Sequence, residues 1–281
     1  MIRLHKIVTS ALFLIFIASS ALTQDGITRY VRYSFQGREV YGILKGETIN
    51  ELKGDLFSSP KTTGKTVRLS DVRLLAPCKP SKVIAVGLNY RSHLGNYSLP
   101  EYPGLFAKLP TAIIAHEENI VIPPDSEDLH YEGELVIVIG KKAQKVSVEE
   151  AKNYIFGITA GNDVSDRAWQ QADLQWLRAK ASDTFGPIGP AIVTGLNYND
   201  LLLQTRLNGE VRQSERTKDL INNIEAIVSY VSQYITLLPG DIIFTGTPGS
   251  TKAMKPGDIV EIELEGVGVL RNTVVAAETR K

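Results

Sequence analysis

Two glutamates at the start of an apolar run constrain this chain more than any other feature of its sequence. The run covers residues 135–139, with Glu134 directly before it and Glu132 two residues earlier. An unbroken stretch of leucine, valine and isoleucine predicts a strand that is buried on both faces. Residues two apart in a strand point to the same side, so we expect the two carboxylates to project together. Buried carboxylates need a positively charged partner.

A third carboxylate extends this pattern to a predicted metal site. Asp163 follows a second apolar run, over residues 154–161. Three carboxylates on one patch suit a hard divalent cation bound through oxygen, which can be Mg²⁺, Mn²⁺ or Ca²⁺. A solvated strand face is the alternative, because Glu-x-Glu is common on exposed strands. The apolar run favours the metal site, so we predict that Glu132, Glu134 and Asp163 are metal ligands.

The composition excludes several classes of protein. With 281 residues, 43% of them hydrophobic and 22% charged, the chain is typical of a globular protein with one large domain or one large and one small. Lys plus Arg equals Asp plus Glu at 31 each, which gives no electrostatic case for binding nucleic acid. The single cysteine, Cys78, excludes an intrachain disulfide and a cysteine-based metal cluster.

The first 24 residues differ from the rest. Basic residues occur among the first six positions, an apolar run covers residues 7–18, and small residues follow up to Ala21. This order predicts a secretory signal peptide, with the mature chain starting near Leu22. The run is shorter than the ~20 residues of a membrane-spanning helix. We expect cleavage, export to the periplasm or beyond, and no membrane span in the mature protein; an uncleaved membrane anchor and a helix of the fold are the alternatives.

Strand patterns dominate the remaining chain. Residues 25–76 show short strands and turns and are predicted to form a small β-rich N-terminal domain, ahead of a larger domain over residues 77–281. Residues 87–103 form a predicted long loop, which is typical of a functional lid. Apolar residues at helical spacing predict an amphipathic helix over residues 217–234. Because regular βαβ alternation is missing, we predict the α+β class.

Several polar side chains near the predicted ligands are candidates for chemistry. If a helix begins after Asp163, then Arg167 and Gln170 lie one turn apart and could orient a substrate carboxylate or enol oxygen. Lys180 would stay protonated near three carboxylates and could stabilise a developing oxyanion. His93 lies in the predicted lid and is a candidate general base, because imidazole titrates near neutral pH. Taken singly, each residue is also typical of a protein surface.

A glycine-rich turn follows the predicted strand over residues 241–244. Its sequence is Thr245-Gly246-Thr247-Pro248-Gly249. Glycines allow the backbone to approach a ligand closely, and a hydroxyl with free N–H groups could hold a carboxylate. A simple tight turn is the alternative interpretation.

The chain resembles the fumarylacetoacetate hydrolase family from about residue 83 to its C-terminus. The resemblance depends on motifs that occur in order, namely Gly87-Leu88-Asn89-Tyr90-x-x-His93, Phe106-x-Lys108, Tyr131-Glu132-Gly133-Glu134-Leu135, Asn162-Asp163-Val164-Ser165-x-Arg167, Lys180-x-x-Asp183-Thr184-Phe185-Gly186-Pro187, Asn208-Gly209-Glu210, Pro239-Gly240-Asp241-Ile242 and Thr245-Gly246-Thr247-Pro248. It implies a mixed β-sheet roll as catalytic domain, a small N-terminal domain and a homodimer.

The resemblance also implies roles for the candidate residues. The metal ligands would hold Mg²⁺ or Mn²⁺, with Ca²⁺ as a further possibility. Lys180, Arg167 and Gln170 would face the substrate, Thr247 would help to hold its carboxylate, and His93 matches the lid histidine that acts on water.

Two departures from the family pattern affect the expected chemistry. Many members carry a glutamate three residues after the lid histidine, where this chain has Asn96, and the nearest acidic residue of the lid is Glu101. An asparagine cannot stabilise an imidazolium ion as a carboxylate does. The turn after Pro248 reads Gly249-Ser250-Thr251, where members often differ, which predicts a different substrate preference.

The resemblance predicts a divalent-metal-dependent hydrolase that cleaves a C–C bond in a 3-acylpyruvate or fumarylpyruvate-like 2-oxo acid. His93 would activate water, and pyruvate would leave as a metal-bound enolate that Lys180 stabilises. Oxaloacetate-type decarboxylation and 2-hydroxydienoate isomerisation use a similar enol and remain alternatives. Decarboxylation needs no activated water and therefore tolerates Asn96 better. A non-catalytic exported module that binds oxo acids is the alternative from another class.

Overall fold

The computed structural model describes residues 26–278 as a sheet-rich protein with few helices. The predicted α+β class with mixed sheets is confirmed. The predicted signal peptide, residues 1–24, lies outside the described residues. Within those residues, every helix is too short or too polar to cross a membrane.

The elements of the described chain are as follows. The strands are β1 (Thr28–Phe35), β2 (Arg38–Lys45), β3 (Thr48–Lys53), β4 (Lys61–Arg68), β5 (Arg73–Leu75), β6 (Val83–Gly87), β7 (Gly104–Lys108), β8 (Ile113–Ile114), β9 (Ile120–Ile122), β10 (Leu129–His130), β11 (Gly133–Ile139), β12 (Ile155–Asn162), β13 (Ser165–Asp166), β14 (Gly186–Thr194), β15 (Leu202–Leu207), β16 (Glu210–Arg216), β17 (Ile242–Phe244), β18 (Ile259–Leu264) and β19 (Gly268–Ala276). The α-helices are α1 (Val148–Ala151), α2 (Arg167–Ala172), α3 (Leu177–Ala181) and α4 (Ile224–Tyr234), and short 3₁₀ turns lie at Leu69–Asp71, Arg91–His93, Pro110–Ala112, Lys152–Tyr154 and Thr217–Asp219.

Twelve strands form one mixed sheet. Its order is β4-β3-β2-β1-β14-β12-β11-β17-β6-β7, with β5 also paired to β1 and β8 to β14. The N-terminal strands are continuous with the rest of this sheet, because residues 28–30 of β1 pair with residues 192–194 of β14. A second sheet, ordered β16-β15-β18-β19-β9, packs against β11, β12 and β14.

β11 runs through the middle of the larger sheet, between β12 and β17. Its residues alternate between two apolar clusters: Leu135 and Ile137 join the larger one, which includes residues of both sheets, and Val136 and Val138 join the smaller one on the opposite face. All seven residues of β11 are buried. Burial on both faces explains the unbroken apolar run. By alternation, Glu134 lies on the face that carries Val136 and Val138.

The predicted helix over residues 217–234 begins later than its apolar spacing indicated. α4 starts at residue 224, where the Asn223 side chain accepts a hydrogen bond from the Ala226 N–H at 2.9 Å. Before it, the Ile221 N–H donates to the carbonyl of Asn89 at 2.8 Å. The first seven residues of the prediction were wrong, because this segment forms a 3₁₀ turn and then hydrogen-bonds to the loop after β6.

Candidate functional site

The three predicted metal ligands meet where β11 and β12 lie side by side. Gly133 pairs with Asn162 across these strands, the Asp163 N–H donates to the Glu132 carbonyl at 2.8 Å, and the Glu132 N–H donates to the Asn162 side chain at 2.8 Å. One carboxylate oxygen from each of Glu132, Glu134 and Asp163 lies within 4.8 Å of the other two. All three side chains are buried. Strand pairing therefore gathers the carboxylates into one cluster.

The electrostatics of this cluster fit a divalent cation. Glu134 accepts a hydrogen bond from the Gly246 N–H at 2.7 Å. Burial, together with the charges on Asp163 and Glu132, raises the pKa of Glu134 well above the ordinary glutamate value. A bound cation would offset the cost of burying the Glu134 charge and the repulsion from the other two carboxylates. Clustered carboxylate oxygens suit Mg²⁺, Mn²⁺ or Ca²⁺. The identity of the ion stays a prediction.

Three basic side chains face the carboxylates. Lys180 Nζ donates to Glu132 at 2.6 Å and to Asp163 at 2.7 Å. Arg167 donates to Glu132 at 2.5 Å, and Lys108 donates to Asp163 at 2.5 Å. Burial opposes the ionisation of Glu132, but the charges on Lys180 and Arg167 outweigh it and lower the pKa of Glu132 below its usual range. In formal charge, the three bases balance the three carboxylates.

Lys108 is a site residue that the sequence reasoning did not assign. Its side chain is 0% exposed, and besides Asp163 it donates to the backbone carbonyl of Lys180. It therefore ties Asp163 to α3, the helix that carries Lys180. Burial lowers the pKa of Lys108, although the Asp163 carboxylate acts in the opposite direction. The motif Phe106-x-Lys108 was the available signal, but it does not say that the end of β7 faces the carboxylates.

α2 places Arg167 and Gln170 at the site. The helix begins at Arg167, where the Asp166 carboxylate accepts a hydrogen bond from the Trp169 N–H at 2.9 Å and caps the first turn. One turn apart, Arg167 Nη1 donates to Gln170 Oε1 at 2.7 Å. The two side chains therefore reach the cavity as a hydrogen-bonded pair.

His93 faces the carboxylates and is oriented by a backbone carbonyl. Its Nδ1 lies 2.5 Å from the carbonyl oxygen of Gly249, and its Nε2 lies 3.7 Å from Glu132. Because a carbonyl can only accept, Nδ1 carries a proton, and in the neutral imidazole Nε2 then has its lone pair on the side of the carboxylates. The Gly249 N–H also donates to the Ser92 hydroxyl at 2.9 Å. The turn at Gly249 thus provides an orienting group that Asn96 does not need to supply.

Thr247 lies in the wall of the site with its hydroxyl engaged. The hydroxyl donates to the Gly133 carbonyl at 2.8 Å and accepts from the Gln213 amide at 2.8 Å. Because a carboxylate only accepts, the Thr247 hydroxyl can hold one only when its proton turns from the Gly133 carbonyl to the substrate. The preceding residue, Gly246, has a φ of 106°, and a Cβ there would lie 2.7 Å from the Cβ of Asn89. Glycine is therefore required at position 246, where its backbone N–H donates the hydrogen bond to Glu134.

A single cavity of 120 Å³ joins these groups. All eight residues that the sequence singled out line it, namely His93, Glu132, Glu134, Asp163, Arg167, Gln170, Lys180 and Thr247. Its remaining wall is mostly apolar and is formed by Val86, Gly87, Leu88, Tyr97, Phe106 and Trp176. The structure brings the predicted residues together, while the role of each one stays a prediction.

Comparison with known families matches both parts of the chain. A model described as "Fumarylacetoacetate (FAA) hydrolase C-terminal" matches residues 82–275, and one described as "Rv2993c-like, N-terminal" matches residues 28–77. Protein Rv2993c of Mycobacterium tuberculosis is 46% identical over 233 residues, which cover 81% of this chain and 88% of that protein. The mitochondrial oxaloacetate tautomerase FAHD2A of Bos taurus is 41% identical over 221 residues, which cover 73% of this chain and 70% of that protein.

Solved structures of similar proteins align with most of this chain. A 2-hydroxyhepta-2,4-diene-1,7-dioate isomerase from Mycobacterium marinum aligns with a TM-score of 0.85 and 42% identity, over 90% of this chain and 100% of that one. A maleylpyruvate hydrolase from Sphingobium sp. SYK-6, solved with manganese(II) and pyruvate, aligns with a TM-score of 0.76 and 28% identity, over 89% of this chain and 100% of that one. These similar proteins are named as a tautomerase, an isomerase and a hydrolase.

Proposed function

This chain belongs to the fumarylacetoacetate hydrolase family, and on that basis we propose that it is a divalent-metal-dependent enzyme that converts a small 2-oxo acid through its enolate. The first candidate reaction is proton transfer at the carbon next to the oxo group, which interconverts keto and enol forms or shifts a double bond. Oxaloacetate and 2-hydroxydienoates are the substrate classes that the similar tautomerases and isomerase suggest.

The observation that carries this proposal is the charge of the site. Three buried carboxylates and three buried or half-buried bases cancel. A divalent cation would then leave two positive charges among buried side chains, where electrostatic interactions are stronger than in bulk water. The carboxylate next to the oxo group brings one negative charge to the site, and a second develops on the oxo oxygen when the acid enolises. The distal carboxylate of a diacid such as oxaloacetate carries the same charge in both forms. The site therefore complements the enolate better than the keto acid, as catalysis requires.

The side chains divide the work between binding and proton transfer. The cation, when bound by Glu132, Glu134 and Asp163, would supply Lewis acidity. With its lone pair on Nε2, His93 can take a proton from the carbon next to the oxo group and return it. Lys180 can donate to the oxygen that becomes negative. The carboxylate of the substrate would be held by Arg167, Gln170 and Thr247.

C–C bond hydrolysis of a 3-acylpyruvate is the second candidate. The same lone pair of His93 could activate a water molecule, and pyruvate would leave as its enolate. The similarity to a maleylpyruvate hydrolase supports this reaction. Decarboxylation of oxaloacetate would give the same enolate without water. A non-catalytic oxo-acid-binding protein is the alternative of another class, and it predicts binding without turnover.

A substrate panel with matched variants tests the proposal. The purified protein would be assayed with Mn²⁺ or Mg²⁺ on keto- and enol-oxaloacetate, a 2-hydroxydienoate and acylpyruvates. We expect turnover far above that of the free ion, its loss in His93→Ala, and loss of both metal binding and turnover in Glu134→Gln. Glu261→Gln is the control, because Glu261 lies in β18 and pairs with Arg206 outside the cavity. Full activity in Glu134→Gln would contradict the proposed metal role.

We also propose export and dimerisation, each on the sequence analysis alone. Mass spectrometry of the protein expressed with its leader would show whether the mature chain starts near Leu22. Light scattering of the purified protein would give its oligomeric state. An intact N-terminus and a monomer would contradict the two proposals respectively.

A further inference from the structure

A chain of four hydrogen-bonded side chains leads from the cavity towards the protein surface. Arg167 Nη2 donates to Thr251 Oγ1 at 3.1 Å. Thr251 Oγ1 lies 2.7 Å from Nδ1 of His130, and Nε2 of His130 lies 2.9 Å from Oδ1 of Asp128. The His130 side chain is 14% exposed and that of Asp128 is 46% exposed, so the Asp128 end is the more open to solvent.

The two ends of this chain determine its donors and acceptors. The Asp128 carboxylate only accepts, so Nε2 of His130 carries a proton. The Arg167 guanidinium only donates, so the Thr251 oxygen accepts. In a neutral imidazole, Nδ1 then accepts the proton of the Thr251 hydroxyl, and every group has a partner. A hydroxyl is required at position 251, because it must accept from one neighbour and donate to the other.

Backbone hydrogen bonds fix the position of these four side chains relative to α2. His130 lies in β10, which pairs with β13 directly before the helix. The Arg167 N–H donates to the Asp128 carbonyl at 2.9 Å, and His130 forms a β-bridge with Ala253, two residues after Thr251. Asp128 therefore anchors Arg167 twice, once through the backbone and once through the side chains of His130 and Thr251.

Arg167 needs this anchor because its guanidinium also contacts a predicted metal ligand. Its guanidinium also donates to Glu132 at 2.5 Å and to Gln170 at 2.7 Å, so three of its five N–H groups are engaged and two remain for a substrate. When Glu132 binds a cation, the negative charge that attracts Arg167 is partly neutralised. The hydrogen bond from Arg167 to Thr251 does not change in this way.

We propose that Thr251, His130 and Asp128 are positioning residues that keep Arg167 oriented towards the substrate carboxylate. Thr251 belongs to the turn in which the sequence departs from the family pattern. The proposal rests on the proposed function only for the nature of the ligand, a 2-oxo carboxylate. It assigns no chemical step to the three residues.

Two substitutions of Thr251 test the proposal. Thr251→Val keeps the shape and removes the hydroxyl, whereas Thr251→Ser keeps the hydroxyl. Ser250→Ala is the matched control, because Ser250 is exposed in the same turn and its hydroxyl makes no hydrogen bond within residues 26–278. Pyruvate binding would be measured by calorimetry in saturating Mn²⁺, alongside Mn²⁺ affinity, the unfolding midpoint and, where turnover exists, KM and kcat.

We expect Thr251→Val to weaken pyruvate binding and raise KM about tenfold, as for the loss of one hydrogen bond to a charged group. Mn²⁺ affinity should stay unchanged and kcat should change about twofold or less, because Arg167 is misplaced rather than lost. Thr251→Ser and Ser250→Ala should resemble the wild type. If Thr251→Val does not fold, Asp128→Ala at the exposed end gives the second measurement, with an expected weakening of pyruvate binding of about threefold.

Three outcomes would overturn the proposal. They are wild-type pyruvate affinity in Thr251→Val, wild-type affinity in Asp128→Ala when Thr251→Val does not fold, and a loss in Thr251→Ser equal to that in Thr251→Val. Pyruvate binding that responds as expected in a protein without turnover would support the positioning chain and overturn the proposed function, so the two failures are distinguishable.

Discussion

Replacing Lys108 with methionine would measure what a buried base contributes to the site. The Lys108 side chain is 0% exposed and donates to the Asp163 carboxylate and to the Lys180 carbonyl. Methionine is similarly long and adapts to irregular gaps, so the substitution removes the charge and the donors without a large cavity. It leaves the Asp163 side chain, which is 1% exposed, with one partner fewer.

The expected loss of stability follows from this burial. Removing one partner of a buried ion pair costs about 3–5 kcal/mol, because the remaining charge stays desolvated. Lys180 still donates to Asp163, which places the expected cost in metal-free protein near the lower end, at about 3 kcal/mol. Bound Mn²⁺ would supply a replacement positive charge next to Asp163. We therefore expect the cost to fall to about 1 kcal/mol in saturating Mn²⁺.

The free energy of unfolding would be measured by urea titration, monitored by circular dichroism, in EDTA and in Mn²⁺. Lys218→Met is the control, because Lys218 also faces an aspartate, Asp200, at 3.7 Å but its side chain is 54% exposed. Such a surface pair is worth about 0–1 kcal/mol. A cost for Lys108→Met no larger than that of the control would refute the structural role of Lys108. An equal cost with and without Mn²⁺ would refute the assignment of Asp163 as a ligand.

Two further predictions concern Glu134. Gly246→Ala should lower the free energy of unfolding by about 1–3 kcal/mol, because the new Cβ would sit at a φ of 106° and 2.7 Å from Asn89. The resulting shift of the backbone N–H that donates to Glu134 should weaken Mn²⁺ binding in calorimetry. Unchanged Mn²⁺ affinity would contradict this. The raised pKa of Glu134 contributes stability that is present below the unfolded value of about 4.3 and is lost as the pH rises through the folded-state pKa. In EDTA, urea titrations should therefore show Glu134→Gln to be more stable than the wild type at pH 8, and this difference in stability should vanish towards pH 4. A variant less stable than the wild type at pH 8 would count against the argument.

The relative placement of Glu132 and Glu134 could be predicted because its information is local, whereas Asp163 joins them through the pairing of β11 with β12. Side chains alternate along a strand, so the positions of Glu132 and Glu134 relative to each other follow from their spacing alone. The unbroken apolar run correctly indicated burial on both faces of β11. Arg167 and Gln170 likewise meet because a helix begins between Asp163 and Gln170.

Other parts of the site depend on contacts that no local pattern encodes. The orienting group of His93 is the backbone carbonyl of Gly249, 156 positions away in the chain, and a carbonyl has no signature in a sequence. Lys108 is buried because the end of β7 meets Asp163 and α3, whereas a lone lysine is usually exposed. The start of α4 was misplaced because Ile221 and its neighbours contact the loop at Asn89 while keeping helical spacing.

The pairing of β1 with β14 has a consequence for how the protein is made. β2 to β5 follow β1 closely, but residues 28–30 of β1 find their other neighbour only at residues 192–194. At about 5–20 residues per second, a ribosome needs roughly 8–30 s to reach that point. If β1 to β5 pair as soon as they are made, residues 28–30 present an open strand edge throughout this interval, the kind of surface on which chains aggregate. We therefore expect the yield of folded protein to fall when synthesis of the segment up to β14 is slowed.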